Sequence, residues 1–188
     1  MSRETFEAAA AAAIEYASSV ATRRVVPDEA ALAVLSRFDE PLPAGPSDPL
    51  ETVRLLDEAG SPATVASAGP SYFGFVTGGV LPAALGASWI ASAWDQNTAL
   101  PVMSPVATQL HRVVRGWLVE LLGLPPSTAL SFVSGATMAN ASALAVARDA
   151  VLAREGWDVQ SQGLFGAPEV TVVVGSHAHT TLRKALGL

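Results

Sequence analysis

The chain has 188 residues, half of them hydrophobic and only 15% charged, enough for one compact core and apolar enough to imply a large buried interface with something else. A formal net charge of -6, with the arginines scattered, lacks the basic footprint that nucleic acid requires, so no nucleic-acid partner is expected. Cysteine is absent, which removes disulfide frameworks, thiolate zinc sites and cysteine nucleophiles together.

Phe6, Ala10, Ala13, Ala17 and Val20 recur at helical spacing, with Glu4, Glu7 and Glu15 on other faces, and predict an amphipathic first helix with a stripe of small residues. Its alanine run has no basic flank before it and does not read as a signal peptide, so a cytoplasmic location is expected. A short helix is predicted over 28–35. Pro41, Pro43, Pro46 and Pro49 then make an extended connector. Asp48 offers an N-cap, Pro49 the N1 position, Glu51 the reciprocal capping position and Gly60 a stop, which delimit another helix.

Residues 61–81 form a loop unusually rich in aromatic side chains, among them Tyr72, Phe73 and Phe75. The apolar stretch 80–94 contains Pro82 and Gly86 and falls short of the roughly 20 residues of a bilayer span, so no membrane segment is expected. Helices are predicted over 83–93 and from Ser104, as N-cap, to Leu122, before Gly123.

From residue 130 the pattern reads as strand (130–133), small-residue turn (134–137), helix (138–155, stopped by Gly156), loop and strand (170–174). A β-α-β unit of this kind predicts an α/β domain with a mostly parallel sheet over 81–188, preceded by a helical arm and aromatic loop over 1–80.

Two constellations carry chemistry. At Ser134-Gly135-Ala136-Thr137 a glycine and hydroxyl residues fall where a helix begins, and free amides and the positive end of the helix dipole suit a phosphate there. The amides of Ala136 and Thr137 and the Thr137 hydroxyl are the expected donors. Alone, the motif also describes a capped helix start; it is neither a Walker loop nor a dinucleotide fingerprint. The second constellation is Ser176-His177-Ala178-His179-Thr180-Thr181, placed by the strand reading at the carboxyl edge of the sheet. No third ligand accompanies the His-x-His pair, so no metal site is expected, and a capping or surface histidine is the plainer alternative.

Taken in order, these segments resemble the group II pyridoxal-phosphate-dependent amino-acid decarboxylases. Tyr72-Phe73-Gly74-Phe75-Val76-Thr77 is similar to that family's early aromatic segment, and Ser104-Pro105 to its Ser-Pro before a long helix. Residues 134–140 resemble the cofactor phosphate loop, and residues 176–181 the segment whose histidine stacks on the pyridine ring. The resemblance implies the fold-type I architecture, pyridoxal 5'-phosphate as cofactor, Ala136 and Thr137 as phosphate ligands, and His179 as both the stacking residue and a catalytic one. It further implies Phe75 and Thr77 as substrate-facing positions, an amino-acid substrate and a homodimer.

Such an enzyme also needs a lysine for the cofactor aldehyde and an acid on the pyridinium nitrogen. The chain's one lysine, Lys184, follows His179 by five residues and lacks the family's His-Lys setting, so it reads as a helix-end charge. The chain is therefore expected to be the amino-terminal part of a carboxy-lyase, inactive alone and completed by further polypeptide, in the same or a second chain. A transaminating enzyme segment and a non-catalytic phosphate-binding or dimerisation module are the alternatives.

Overall fold

In the computed structural model of the protein, which describes residues 2–187, every regular element among the described residues is helical. The chain divides into two compact units at residues 97 and 98.

In the first unit, α1 (Arg3–Ser19) begins at Ser2, whose hydroxyl accepts from the Thr5 amide at 3.4 Å. The short α2 (Glu29–Val34) is capped by the Asp28 carboxylate and passes into a 3-10 turn, Leu35–Phe38. Asp48 caps α3 (Pro49–Leu55) by accepting from the Leu50 amide at 2.9 Å, with Pro49 inside the first turn. Glu51 does not reach back to the cap; it pairs with Arg54 one turn on, at 2.9 Å. Gly60 does not end the helix either. Its φ of -85° is right-handed, and the chain continues through a π turn, Leu56–Gly60, into a 3-10 turn, Ser61–Ala63.

Helix α1 packs against α3 through small residues, Ala9, Ala13 and Ala17 facing Val53 and Leu56 across a groove of about 640 Å³. Polar contacts hold the segment after α3 to α1. Tyr16 shares a hydrogen bond with Thr64 at 2.8 Å, Arg23 stacks over the Tyr16 ring at 4.6 Å, and its guanidinium donates to the Ser61 carbonyl. Ala59 and Ala66 are buried here. The last helix of the unit, α4 (Pro82–Trp94), ends at Asp95 in the left-handed conformation.

The second unit contains α5 (Pro105–Leu121), α6 (Ala136–Arg154), α7 (Val159–Gln162) and α8 (Thr180–Ala185). Gly123 and Gly156, both at positive φ, follow α5 and α6 as their spacing predicts. Ser104 occupies the N-cap position of α5 without capping it: its hydroxyl makes no cap bond and is fully buried without a partner. Helix α7 was not foreseen; Asp158 creates it by accepting from the Gln160 amide at 3.0 Å and the Ser161 hydroxyl at 2.7 Å. Helices α6 and α8 pack together, and Leu152 of α6 and Ala185 of α8 are buried.

The predicted α/β domain is overturned: no strand occurs among the described residues, and the mostly parallel sheet of a fold-type I large domain is absent from them. A strand exists only as a member of a hydrogen-bonded pair. Residues 130–133 and 170–174 have no regular structure, and neither forms a ladder with the other or with a third segment. Side chains of α5 take the carbonyls around the first of them. The His111 Nε2–H donates to Leu130 at 3.0 Å, and Arg115 donates to Thr128 at 2.8 Å and to Pro126. The second lies along α6, with Val170 and Val172 beside Ala141 and Ala145, while Val173 is 93% exposed. Branched apolar residues favour extended backbone, but they do not supply a pairing partner.

Much apolar surface stays uncovered. The accessible surface is 14532 Å², against roughly 10,000 Å² for two separate compact units of half this mass. Among the described residues, no helix is long and apolar enough to cross a membrane.

Two outcomes test this packing. A Cβ on Gly69 would lie 2.8 Å from the Val20 carbonyl oxygen and 3.1 Å from that of Ala66, both backbone atoms. Gly69→Ala is expected to cost about 1–3 kcal/mol, read as a lower urea midpoint. The Ser161 hydroxyl and then the Gln160 amide hold the Asp158 carboxyl below the usual aspartate range. With the folded value depressed, the capping contribution is present above the unfolded pKa and is lost as pH falls through the folded one. A carboxyl-carbon NMR titration is expected to place Asp158 below the ordinary aspartate value, and Ser161→Ala is expected to raise it.

Candidate functional site

The start of α6 leaves donors unfilled. Gly135 occupies the N-cap with a φ of 167°, an extended conformation that any residue can adopt, and offers no side-chain cap. The first bond of the helix runs from the Ala139 amide to the Gly135 carbonyl at 3.0 Å, which leaves the amides of Ala136, Thr137 and Met138 without protein acceptors. A Cβ built on Gly135 meets nothing within 4 Å, so packing does not demand the glycine and the space around it is open. Ser134 and Ala136 are exposed, and Thr137 is half-buried. The positive end of the α6 dipole, three free amides and the Thr137 hydroxyl are gathered at this helix start.

His179 is the N-cap of α8. Its Nδ1 accepts from the Thr181 backbone amide at 3.2 Å and lies 2.9 Å from the Thr181 hydroxyl oxygen. A backbone amide can only donate, so Nδ1 carries a lone pair and, in the neutral ring, the proton sits on Nε2. The Thr181 hydroxyl donates to Nδ1 and accepts from Asn140 Nδ2 at 3.1 Å. Asn140 stands one turn into α6, on the helix that begins with Ala136 and Thr137. A chain of hydrogen bonds thus joins the first turns of α6 to the imidazole of His179, across 41 residues of sequence.

Of the residues expected at the site, Ala136, Thr137 and His179 lie in the second unit and are connected in this way. Asn140 and Thr181, which make the connection, were not singled out from the sequence. Both stand inside the quoted segments, but only their separation in space, not their spacing, identifies their role. Phe75 and Thr77 lie in the first unit, in the loop after the Ser61–Ala63 turn, and both are exposed, Phe75 at 94%. Phe75 and Val76 have φ of 52° and 55°, left-handed values that cost non-glycine residues energy, a β-branched valine most of all. His177 is exposed on the turn before His179, and Lys184 is exposed in the last turn of α8 beside Arg183. Among the described residues, no three His, Asp or Glu side chains gather as a metal site.

No family model matches the chain. It is similar to the aromatic-L-amino-acid decarboxylase of Bacillus atrophaeus, 31% identical over 117 residues that cover 62% of this chain and 24% of that enzyme. It is also similar to tryptophan decarboxylase 1 of Oryza sativa subsp. japonica, 30% identical over 148 residues that cover 73% of this chain and 28% of that enzyme. The chain spans about a quarter of the length of the curated relatives it matches, and over that part it is a distant homologue of amino-acid decarboxylases.

Proposed function

We propose that the chain is the amino-terminal segment of a pyridoxal-phosphate-dependent amino-acid decarboxylase and contributes its phosphate cradle and ring-stacking histidine. The observation that carries this reading is the hydrogen-bonded link from Asn140, one turn into α6, through Thr181 to the His179 imidazole, which ties the helix that opens with free amides to the segment that carries the histidine. Both relatives are decarboxylases, and their names extend the reading to an aromatic amino acid as substrate.

The residues present suit the cofactor. Free amides at Ala136 and Thr137, the Thr137 hydroxyl and the α6 dipole would hold its phosphate without a lysine. The exposed face of the His179 ring would lie against the pyridine, with Nδ1 already engaged and Nε2–H left to donate. Bound there, pyridoxal phosphate supplies the electron sink for breaking the bond to the substrate's α-carboxylate. Phe75 and Thr77 would face the substrate; a strained, exposed aromatic loop is suited to such contact.

The uncovered apolar surface fits a segment that is completed by further polypeptide, which would bring the lysine for the cofactor aldehyde and the acid for the pyridinium nitrogen. A homodimer of the completed enzyme is part of the same proposal.

Binding separates this reading from a plain phosphate site. Titration with pyridoxamine phosphate is expected to give at least about tenfold tighter binding than inorganic phosphate, and equal affinities would leave only a phosphate-binding module. Thr137→Ala is expected to weaken pyridoxamine phosphate by about tenfold, the worth of one charge-assisted hydrogen bond. Carbon dioxide release from aromatic amino acids by the completed enzyme tests the reaction; keto-acid product without carbon dioxide would mark a transaminase instead.

A further inference from the structure

We propose that Thr181, held by Asn140, is a positioning residue that fixes the tautomer and orientation of the His179 ring; the inference rests on the reading of α6 and His179 as a cofactor site. The side chain of an exposed histidine at the start of a six-residue helix would ordinarily rotate freely. Here Nδ1 is engaged twice by one residue, through the Thr181 amide at 3.2 Å and the hydroxyl at 2.9 Å. The hydroxyl can donate to Nδ1 in a fixed direction because its acceptor side is occupied by Asn140 Nδ2 at 3.1 Å. Asn140 is carried by the 19-residue α6, whose first turn holds Ala136 and Thr137.

The orientation of the imidazole is therefore referred to the same rigid element that would grip the phosphate. Ring face and phosphate donors keep one spacing without any direct contact between them. Each polar atom in the relay has a defined role: Asn140 donates, Thr181 accepts and donates, and Nδ1 accepts. Valine at 181 would keep the backbone amide bond but lose the hydroxyl and, with it, the tie to α6.

The test reads the ring nitrogens directly and needs no cofactor. In protein labelled with 15N-histidine, with His111 and His177 assigned by substitution to glutamine, long-range proton–nitrogen spectra should show His179 as a single Nε2–H tautomer. Thr181→Val and Asn140→Ala should both move His179 toward a mixture of tautomers, and Thr181→Ser should restore the wild-type signature. Alanine is the best helix former, so Asn140→Ala keeps α6 intact even if Thr181→Val unfolds. Ring-nitrogen shifts at His179 that are unchanged in Asn140→Ala, or a mixture already present in the wild type, would overturn the relay. A parallel pyridoxamine phosphate titration of the same variants should show a loss of about tenfold or less for each. Intact nitrogen signatures with no pyridoxamine phosphate binding would sink the cofactor reading alone, whereas altered binding with unmoved nitrogen shifts would sink the relay alone.

Discussion

The candidate site depends on one long-range hydrogen bond, from Asn140 on α6 to the hydroxyl of Thr181. Without it, His179 would be a local cap at the start of a short helix, and the opening turn of α6 would be one more helix end with solvated amides. With it, the chain returning after the loop beyond α7 is tied to the first turns of α6, the helix whose opening amides lack protein acceptors. Packing of α8 against α6, with Ala185 buried, supports the same tie from the apolar side.

The helices were legible because their ends are written in residue types with single physical uses. Asp28 and Asp48 accept from early amides, Pro49 and Pro105 stand where no amide donor is needed, and Gly123 and Gly156 take positive φ. Legibility failed wherever a residue had two uses. Gly60 suits a stop but equally permits the π turn that follows α3, and Glu51 suits a capping box but found Arg54 nearer. Ser104 holds the cap position, yet its hydroxyl is buried and unpartnered.

The β-α-β reading failed for a different reason. Apolar residues at 130–133 and 170–174 favour extended backbone, but pairing is a property of two segments at once, and these segments have no regular structure. Phe132, 65% exposed, leans edge-on against His111 of α5, and Val170 and Val172 line α6; no ladder joins them. For the site, the helix start at 136–137 and His179 were singled out as motifs, while Asn140 and Thr181, which the structure links, were not. A serine, threonine or asparagine is too versatile for spacing alone to reveal its partner.

Binding at the helix start and stacking at the ring are one claim only if a single ligand engages both. The most direct measurement is an amide and imidazole NMR titration with pyridoxamine phosphate. The amides of Ala136 and Thr137 and the ring of His179 should shift together along one saturation curve, with the phosphorus resonance moving in step. Shifts at the α6 amides with a silent His179 ring, or changes confined to other parts of the protein, would contradict the assignment.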